Sequence, residues 1–205
     1  MQTQMGLTEE KPQICAVILA GGAATRMGGV DKGLVAFKDK TLVETVIDAI
    51  EPQVDKIVVS ANRSLENYRA LGFDVVTDKM QGYPGPLVGI MSAMSVTDAD
   101  FFVTAPCDSP YVGKDYVRKL YQAFVDNPSL KCAAAVSQGY KQPVFMMTRK
   151  ETEKDIETFL AKGEHRVRGW LESMHVQWVE FDDLSEFDNF NTMEELQSSV
   201  LQRHK

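Results

Sequence analysis

Short apolar runs constrain the fold of this chain more than any other feature. Residues 14–19 (ICAVIL), 56–60 (KIVVS) and 100–105 (DFFVTA) are nearly continuous in apolar residues. A strand that is buried on both faces has this pattern, because neither face meets water. The first run leads directly into glycines. These runs predict the central strands of a sheet that is covered on both sides.

Helical patterns alternate with the apolar runs. Residues 41–50 have apolar residues at helical spacing, and Thr41 and Glu44 form a capping box that predicts the start of the helix. Further strands are predicted at 73–77, 132–136, 144–147 and 176–181, and further helices at 87–96, 114–125 and 152–160, with a last helix opened by a second capping box at Thr192–Glu195. The alternation predicts a single-domain, doubly wound, mostly parallel α/β sheet. Ligands bind such sheets at the carboxyl ends of the strands.

Length and charge limit the possible functions. The 205 residues fit one domain, which we place at 14–205 after a flexible polar tail at 1–13. The net charge of −7 argues against binding to nucleic acid, which requires a basic surface. No apolar run approaches the ~20 residues that span a bilayer, so we expect no membrane association. Three widely spaced cysteines fit neither a disulfide framework nor a zinc site, which favours buried thiols and a cytoplasmic location.

The loop that follows the first predicted strand carries the strongest functional signal. Residues 19–33 read LAGGAATRMGGVDKG, and the small residues let the backbone approach a ligand and expose N–H donors to phosphate oxygens. Arg26 adds a guanidinium that can hold two phosphate oxygens, and Lys32 adds a mobile charge. The spacing matches neither the dinucleotide-binding fingerprint nor the P-loop. The loop therefore predicts a polyphosphate site of another kind.

A second motif follows the predicted strand at 100–105. In Pro106–Pro110 (PCDSP), Asp108 lies at the ligand edge of the sheet. Mg²⁺ takes one or two protein carboxylates together with substrate phosphates and waters, so Asp108 could anchor it. An Asp before Ser and Pro also commonly opens a turn. The neighbouring phosphate loop makes metal binding the favoured interpretation.

Three further positions are candidates with weaker patterns. In residues 83–89 (YPGPLVG), Gly85 and Gly89 remove side chains where a flat ligand could lie against the backbone, although a rigid turn before a helix is equally compatible. Asn62 and Asp78 each follow a predicted strand. Both side chains could bind ribose or base edges, or they could instead stabilise the turns that follow the strands.

Taken together, these motifs resemble those of the molybdenum cofactor guanylyltransferases. The loop at 19–33 looks like the signature loop of that family. The segments at 83–89 and 106–110 and a late Asn189–Thr192 block resemble its other motifs, in the same order. The resemblance covers residues 14 to about 196. It implies the Rossmann-like nucleotidyltransferase fold and the transfer of GMP from GTP to the terminal phosphate of molybdenum–molybdopterin, with release of pyrophosphate.

The resemblance also implies residue roles. Catalysis would involve Arg26, Lys32 and Asp108, with Asp108 as the Mg²⁺ ligand. The nucleotide would be bound by Leu19, Ala20, Gly21, Gly22, Lys32, Asn62, Asp78, Gly85, Gly89 and Asp108. Arg166, Asn189 and Asn191 would face the pterin substrate. Gln142 stands where the family often has His, which leaves one pterin-side contact in question. Transient contacts with cofactor-synthesis proteins and with recipient molybdoenzymes are also implied.

The expected nucleophile is a phosphate oxygen that is already anionic, so positioning and charge neutralisation would suffice without a strong base. The three histidines form no evident catalytic triad, and we expect them to lie on the surface or to pack against neighbouring residues. Two alternatives remain open at this point: a cytidylyl- or sugar-phosphate nucleotidylyltransferase of the same fold, and a non-catalytic carrier that binds GTP and cofactor. A nicotinamide dehydrogenase is disfavoured because its fingerprint is missing.

Overall fold

The apolar runs form the central strands of a layered α/β fold. The structure is a computed structural model that describes residues 11–21, 31–78, 85–190 and 195. The strands are β1 (Ile14–Leu19), β2 (Ala36–Phe37), β3 (Lys40–Thr41), β4 (Lys56–Ser60), β5 (Asp74–Val76), β6 (Phe101–Pro106), β7 (Cys132–Ser137), β8 (Tyr140–Arg149) and β9 (Gln177–Phe181). The helices are α1 (Leu42–Ile50), α2 (Leu65–Arg69), α3 (Pro86–Met94), α4 (Tyr116–Asp126), α5 (Glu153–Ala161) and α6 (Val167–Ser173).

The main sheet has seven strands in the order β5-β4-β1-β6-β8-β7-β9. All pairings are parallel except those of β8, which runs antiparallel to both β6 and β7. The predicted doubly wound, mostly parallel sheet is confirmed. The chain passes from β1 to β4 and β5 on one side, then returns to β6 on the other side of β1. This reversal creates the switch point where such sheets bind ligands.

Both faces of the sheet are covered, which explains the continuous apolar runs. In β1, Ile14, Ala16 and Ile18 face a core shared with α1 and α4, whereas Cys15 and Val17 face a core shared with α3, α5 and α6. Side chains alternate across a strand, so both sets must be apolar when each face is buried. The three cysteines are all free and buried, as predicted.

The capping box in the sequence correctly predicts where α1 begins. Thr41 caps α1, and its side chain and that of Glu44 make the reciprocal bonds of the predicted capping box. The capping box predicted at Thr192 lies outside the described residues. The Asp100 backbone N–H donates to the Gln13 carbonyl at 2.9 Å, and the Gln13 N–H donates to the Asp100 carboxylate at 2.7 Å, so Gln13 is bonded to the folded domain. Within the described part of the chain, none of the helices could cross a membrane.

The structure also contains elements that the sequence patterns did not predict. Strand β8 spans Tyr140–Arg149, whereas only residues 144–147 are apolar enough to be recognised. Its first half pairs with β7 but not with β6, so it keeps a more exposed, polar character. Helices α2 and α6 are too short for a clear periodic pattern.

Candidate active site

The carboxyl ends of β1, β4 and β6 lie side by side at the switch point. Beyond the last ladder pairs, the Ala20 N–H donates to the Ser60 carbonyl at 2.8 Å, and the Cys107 N–H donates to the Leu19 carbonyl at 3.1 Å. The strand order therefore brings the loop after Leu19 next to the loop that contains Asp108. Gly21, which follows Ala20 at the start of the signature loop, is exposed at this edge.

Lys32 and Asp108 meet at the centre of this edge. The Lys32 Nζ lies 3.3 Å from the Asp108 Oδ2, and the two side chains are 23% and 17% exposed. Seventy-six positions of sequence separate them, so only the fold brings them together. A cation beside a carboxylate, both open to solvent on one side, can receive a metal-bound polyphosphate. Both residues lie in motifs that predict phosphate or metal binding, and the structure brings them together.

Asn62 and Asp78 form a second pair on the β4–β5 side of the edge. The Asn62 Nδ2 donates to the Asp78 Oδ2 at 2.7 Å, and the Asp78 backbone N–H donates to the Asn62 Oδ1 at 2.9 Å. Asn62 also lies against Gly21, because a Cβ built on Gly21 would be 3.3 Å from the Asn62 Nδ2. The two polar residues therefore support each other and border the loop after β1. Their role in binding a nucleotide stays a prediction.

The two predicted glycines lie at the start of α3 and serve different purposes. Gly85 has φ +147°, a conformation that favours glycine, and it precedes the helix directly. Gly89 is buried, and a Cβ there would lie 2.4 Å from the Ser60 Oγ and 3.4 Å from the Leu19 Cδ2. The missing side chain at Gly89 thus lets α3 approach the ends of β1 and β4. Its packing role is visible, and a contact with guanine stays a prediction.

A separate cavity of about 400 Å³ lies on the β8 side of the edge. It is lined by Gln142, Phe187, Asp188, Asn189, Phe190 and Glu195. The Phe190 N–H donates to the Asp108 carbonyl at 3.1 Å, which ties the cavity to the Lys32–Asp108 pair. The structure thereby brings together Asn189 and the atypical Gln142, two of the described positions that the resemblance connects with the pterin.

Arg166 does not line this cavity. It is exposed and directly precedes α6. The neighbouring His165 carbonyl lies 3.5 Å from the position of a Cβ on Gly85, so Arg166 adjoins the start of α3 instead. Other predicted site residues lie outside the described part of the chain: Gly22, Arg26 and Asn191. Among the other lining residues, Phe190 lies in the late motif and Glu195 in the predicted capping box, whereas no sequence pattern marks Phe187 and Asp188, which immediately precede the late motif.

The cysteines do not supply a nucleophile. Burial raises the pKa of Cys15 and of Cys132 to about 12. Burial, followed by the charges of Asp108 and Asp31, also raises the pKa of Cys107. All three are therefore protonated near neutral pH, and the thiolate is the reactive form.

Comparison with known proteins identifies the family of this chain. The family model described as "MobA-like NTP transferase domain" matches residues 16–178, which span β1 to β9. The chain belongs to the MobA-like NTP transferase family. It is therefore an enzyme of the nucleotidyltransferase class, and the alternative of a dehydrogenase is excluded.

Curated relatives narrow the family further. The chain is 39% identical over 186 residues to a molybdenum cofactor guanylyltransferase of Shewanella sp. (strain W3-18-1), covering 90% of this chain and 94% of the relative. It is also 39% identical to the protein of the same name from Shewanella halifaxensis, covering 90% and 92% of the two chains. The family predicted from the sequence motifs is confirmed.

Solved structures share the fold. A molybdopterin-guanine dinucleotide biosynthesis protein A from Archaeoglobus fulgidus superposes with a TM-score of 0.73 at 22% identity, covering 93% of this chain and all of the other. A CMP:2-keto-3-deoxy-manno-octonic acid synthetase in complex with CTP superposes with a TM-score of 0.76 at 14% identity, covering 94% and 100%. Enzymes with different nucleotides thus share this architecture, so the choice of base has to be decided by site residues.

Proposed function

We propose that this MobA-like enzyme transfers GMP from GTP to the terminal phosphate of molybdenum–molybdopterin and releases pyrophosphate. The observation that carries the proposal is the Lys32–Asp108 pair at the switch point, with a 3.3 Å separation and access to solvent. The names of the curated relatives support the choice of GTP and of molybdopterin as substrates. The product would be molybdopterin guanine dinucleotide.

The described residues fit a Mg²⁺ ion that is held mainly by its substrate. Asp108 offers one carboxylate at the edge, and among the described residues no group of three or more metal-ligating side chains occurs. Mg²⁺ commonly uses one or two protein carboxylates and completes its shell with phosphate oxygens and waters. Asp108 would hold the ion, which when bound would neutralise charge on the phosphates.

Lys32 would exchange its partner when the nucleotide binds. Its ammonium pairs with Asp108 in the structure. A polyphosphate that brings its own cation to Asp108 would leave Lys32 to neutralise phosphate oxygens. In this scheme Lys32 absorbs charge that develops on the departing pyrophosphate. Gly22 and Arg26 are proposed to contribute to the same phosphate site, together with the backbone of residues 19–21.

The reaction needs little acid–base assistance from the protein. A phosphate oxygen of the pterin substrate attacks the α-phosphorus of GTP, and the bond from that phosphorus to the bridging oxygen of the β-phosphate breaks. The nucleophile is anionic near neutral pH, so no residue has to remove a proton from it. In-line positioning is then the main contribution of the protein.

The two sides of the edge suggest where each substrate binds. We assign the nucleotide to the side of Asn62, Asp78, Gly85 and Gly89. We assign the pterin to the cavity lined by Gln142 and Asn189, because the Phe190–Asp108 bond places this cavity beside the reacting centre. Asn191 would extend the same side. Arg166 adjoins the start of α3, so we assign it a contact between the two substrates.

Measurement of pyrophosphate release tests the proposal. The purified protein is incubated with Mg²⁺, molybdenum–molybdopterin and each nucleoside triphosphate in turn. We expect release with GTP and not with ATP, CTP or UTP. Release with CTP alone would replace the assigned base while retaining the mechanism. Binding of GTP without release from any nucleotide would favour a carrier that delivers the cofactor. We further propose a cytoplasmic setting with transient contacts to cofactor-synthesis proteins and recipient molybdoenzymes.

A further inference from the structure

Tyr68 lies outside the contacts assigned to either substrate, yet it is bonded to the segment that carries Lys32. It belongs to the short helix α2 and is fully buried. Its hydroxyl donates to the Asp31 Oδ1 at 2.6 Å, and Asp31 directly precedes Lys32. Burial raises the pKa of Tyr68, so its hydroxyl keeps the proton that it donates.

Gly33, which follows Lys32, packs closely against both Tyr68 and Cys107, the neighbour of Asp108. A Cβ built on Gly33 would lie 2.5 Å from the Tyr68 hydroxyl oxygen and 3.2 Å from the Cys107 Sγ. A side chain at position 33 would therefore clash with Tyr68 and crowd Cys107. The glycine lets the segment at 31–34 pack closely against Tyr68 and against Cys107, which adjoins Asp108.

Asp31 depends on Tyr68 for its hydrogen bonding. Its Oδ2 is buried and accepts no hydrogen bond from the described residues. The Oδ1 has the short bond from Tyr68. A partly buried carboxylate that loses its donor is destabilised, so the segment would shift toward water if the Tyr68 hydroxyl were removed. Lys32 would move with it.

We propose that Tyr68 is a positioning residue that acts through Asp31 to hold the Lys32 ammonium beside Asp108. The proposal rests on the proposed function, in which Lys32 binds phosphate. It gives the three residues of the Asp-Lys-Gly sequence distinct physical roles. Asp31 anchors the segment, Lys32 carries the charge, and Gly33 permits the close approach.

The position of Lys32 can be measured without substrate. Reductive methylation followed by peptide mass spectrometry gives the modification rate of Lys32 relative to the exposed Lys38. In Tyr68→Phe we expect this ratio to rise by about threefold or more, because the ammonium leaves its partly buried pairing. Tyr116→Phe is the matched control, since Tyr116 is also buried and donates its hydroxyl to the Thr104 carbonyl at 2.7 Å. An unchanged ratio in Tyr68→Phe would overturn the proposal.

Substitution of Asp31 separates the hydrogen bond from the charge. Asp31→Asn keeps an oxygen that can accept from Tyr68, whereas Asp31→Ala does not. We expect Asp31→Ala to have the same methylation ratio as Tyr68→Phe. The ratio for Asp31→Asn should stay closer to that of the protein without substitutions. Equal ratios in the two Asp31 variants would contradict an anchor that works through this bond.

A double-mutant cycle tests the functional consequence. We expect Tyr68→Phe to lower kcat/KM for GTP by about tenfold, and to have no further effect when Lys32→Met is already present. A loss of equal size in both backgrounds would show that Tyr68 acts independently of Lys32. If the protein without substitutions does not turn over GTP, the proposed function fails. The methylation ratios still decide whether Tyr68 positions Lys32.

Discussion

The two sides of the carboxyl edge are built in different ways. The side assigned to the nucleotide is formed by the ends of the adjacent parallel strands β1 and β4, and backbone hydrogen bonds link these two strand ends. The side assigned to the pterin is formed by the antiparallel β8 and by the late segment around Asn189, which the Phe190–Asp108 bond holds in place. The first half thus depends on the pairing of parallel strands in the centre of the sheet, whereas the second half depends on contacts between an antiparallel strand and a late segment of the chain.

Loss of the carboxylate that lies between the two halves should have the largest effect. We expect Asp108→Asn to lower kcat by about 10³-fold, because the proposed metal anchor and its charge are removed together. Asp98→Asn is the control, since Asp98 is exposed and lies at the opposite edge of the sheet, before β6. Steady-state pyrophosphate release with GTP checks both variants. Near-normal turnover of Asp108→Asn would show that this carboxylate is not part of the reacting centre.

Loss of the lysine should affect the nucleotide half specifically. We expect Lys32→Met to lower kcat/KM for GTP by about 10²-fold, because the side chain keeps its stem but loses the charge that meets the phosphates. The KM for the pterin substrate should change little. Lys38→Met is the control, because Lys38 is exposed and close in sequence. A change confined to the KM for the pterin substrate would mean that Lys32 belongs to the pterin side of the edge and not to the nucleotide side.

The pterin half should respond in the opposite way. We expect Asn189→Ala to raise the KM for molybdenum–molybdopterin by about tenfold while leaving the KM for GTP unchanged, because a hydrogen-bonding group of the cavity is lost. Gln142→Ala tests the other wall of the same cavity and should show the same selectivity. Equal changes in the two KM values would mean that the cavity is not dedicated to one substrate.

The packing of the nucleotide half can be tested by a pair of helical glycines. A Cβ at Gly89 would lie 2.4 Å from the Ser60 Oγ, whereas a Cβ at Gly169 would lie 3.5 Å from the Phe159 Cζ, an ordinary contact. We expect Gly89→Ala to lower the free energy of unfolding by about 1 kcal/mol, since the overpacking outweighs the gain in helix propensity. Gly169→Ala should raise the free energy of unfolding by up to about 1 kcal/mol. Urea titration measures both values, and equal shifts would contradict a close approach of α3 to β4.

Features that depend on local sequence patterns could be predicted from the sequence. Strand β1 matches its predicted bounds because burial on both faces leaves an unbroken apolar run, and α1 matches because its capping box is local. Lys32 and Asp108 were recognised because each lies in a motif beside a strand end. Their 3.3 Å contact follows from β1 and β6 being neighbours, which the alternation of elements alone does not specify.

Residues that act through packing were harder to predict. Tyr68 lies in a five-residue helix whose pattern is too short to recognise, and its bond to Asp31 depends on how α2 packs. The polar first half of β8 was missed because it pairs with a strand on one side only. The motif predicts either a ligand contact or a turn at Gly89, and its close packing against Ser60 becomes visible only when α3 is placed against β4.

The late position of the second half in the chain has a consequence for biosynthesis. Lys32 and Asp108 are both synthesised well before residues 187–190. Phe187 and Phe190, which pack against Phe145 and Tyr111, are among the later residues to emerge. Domains tend to fold from the N-terminus during synthesis. A nascent chain can thus pair β1, β4 and β6 before the residues that complete the cavity beside β8 have been made.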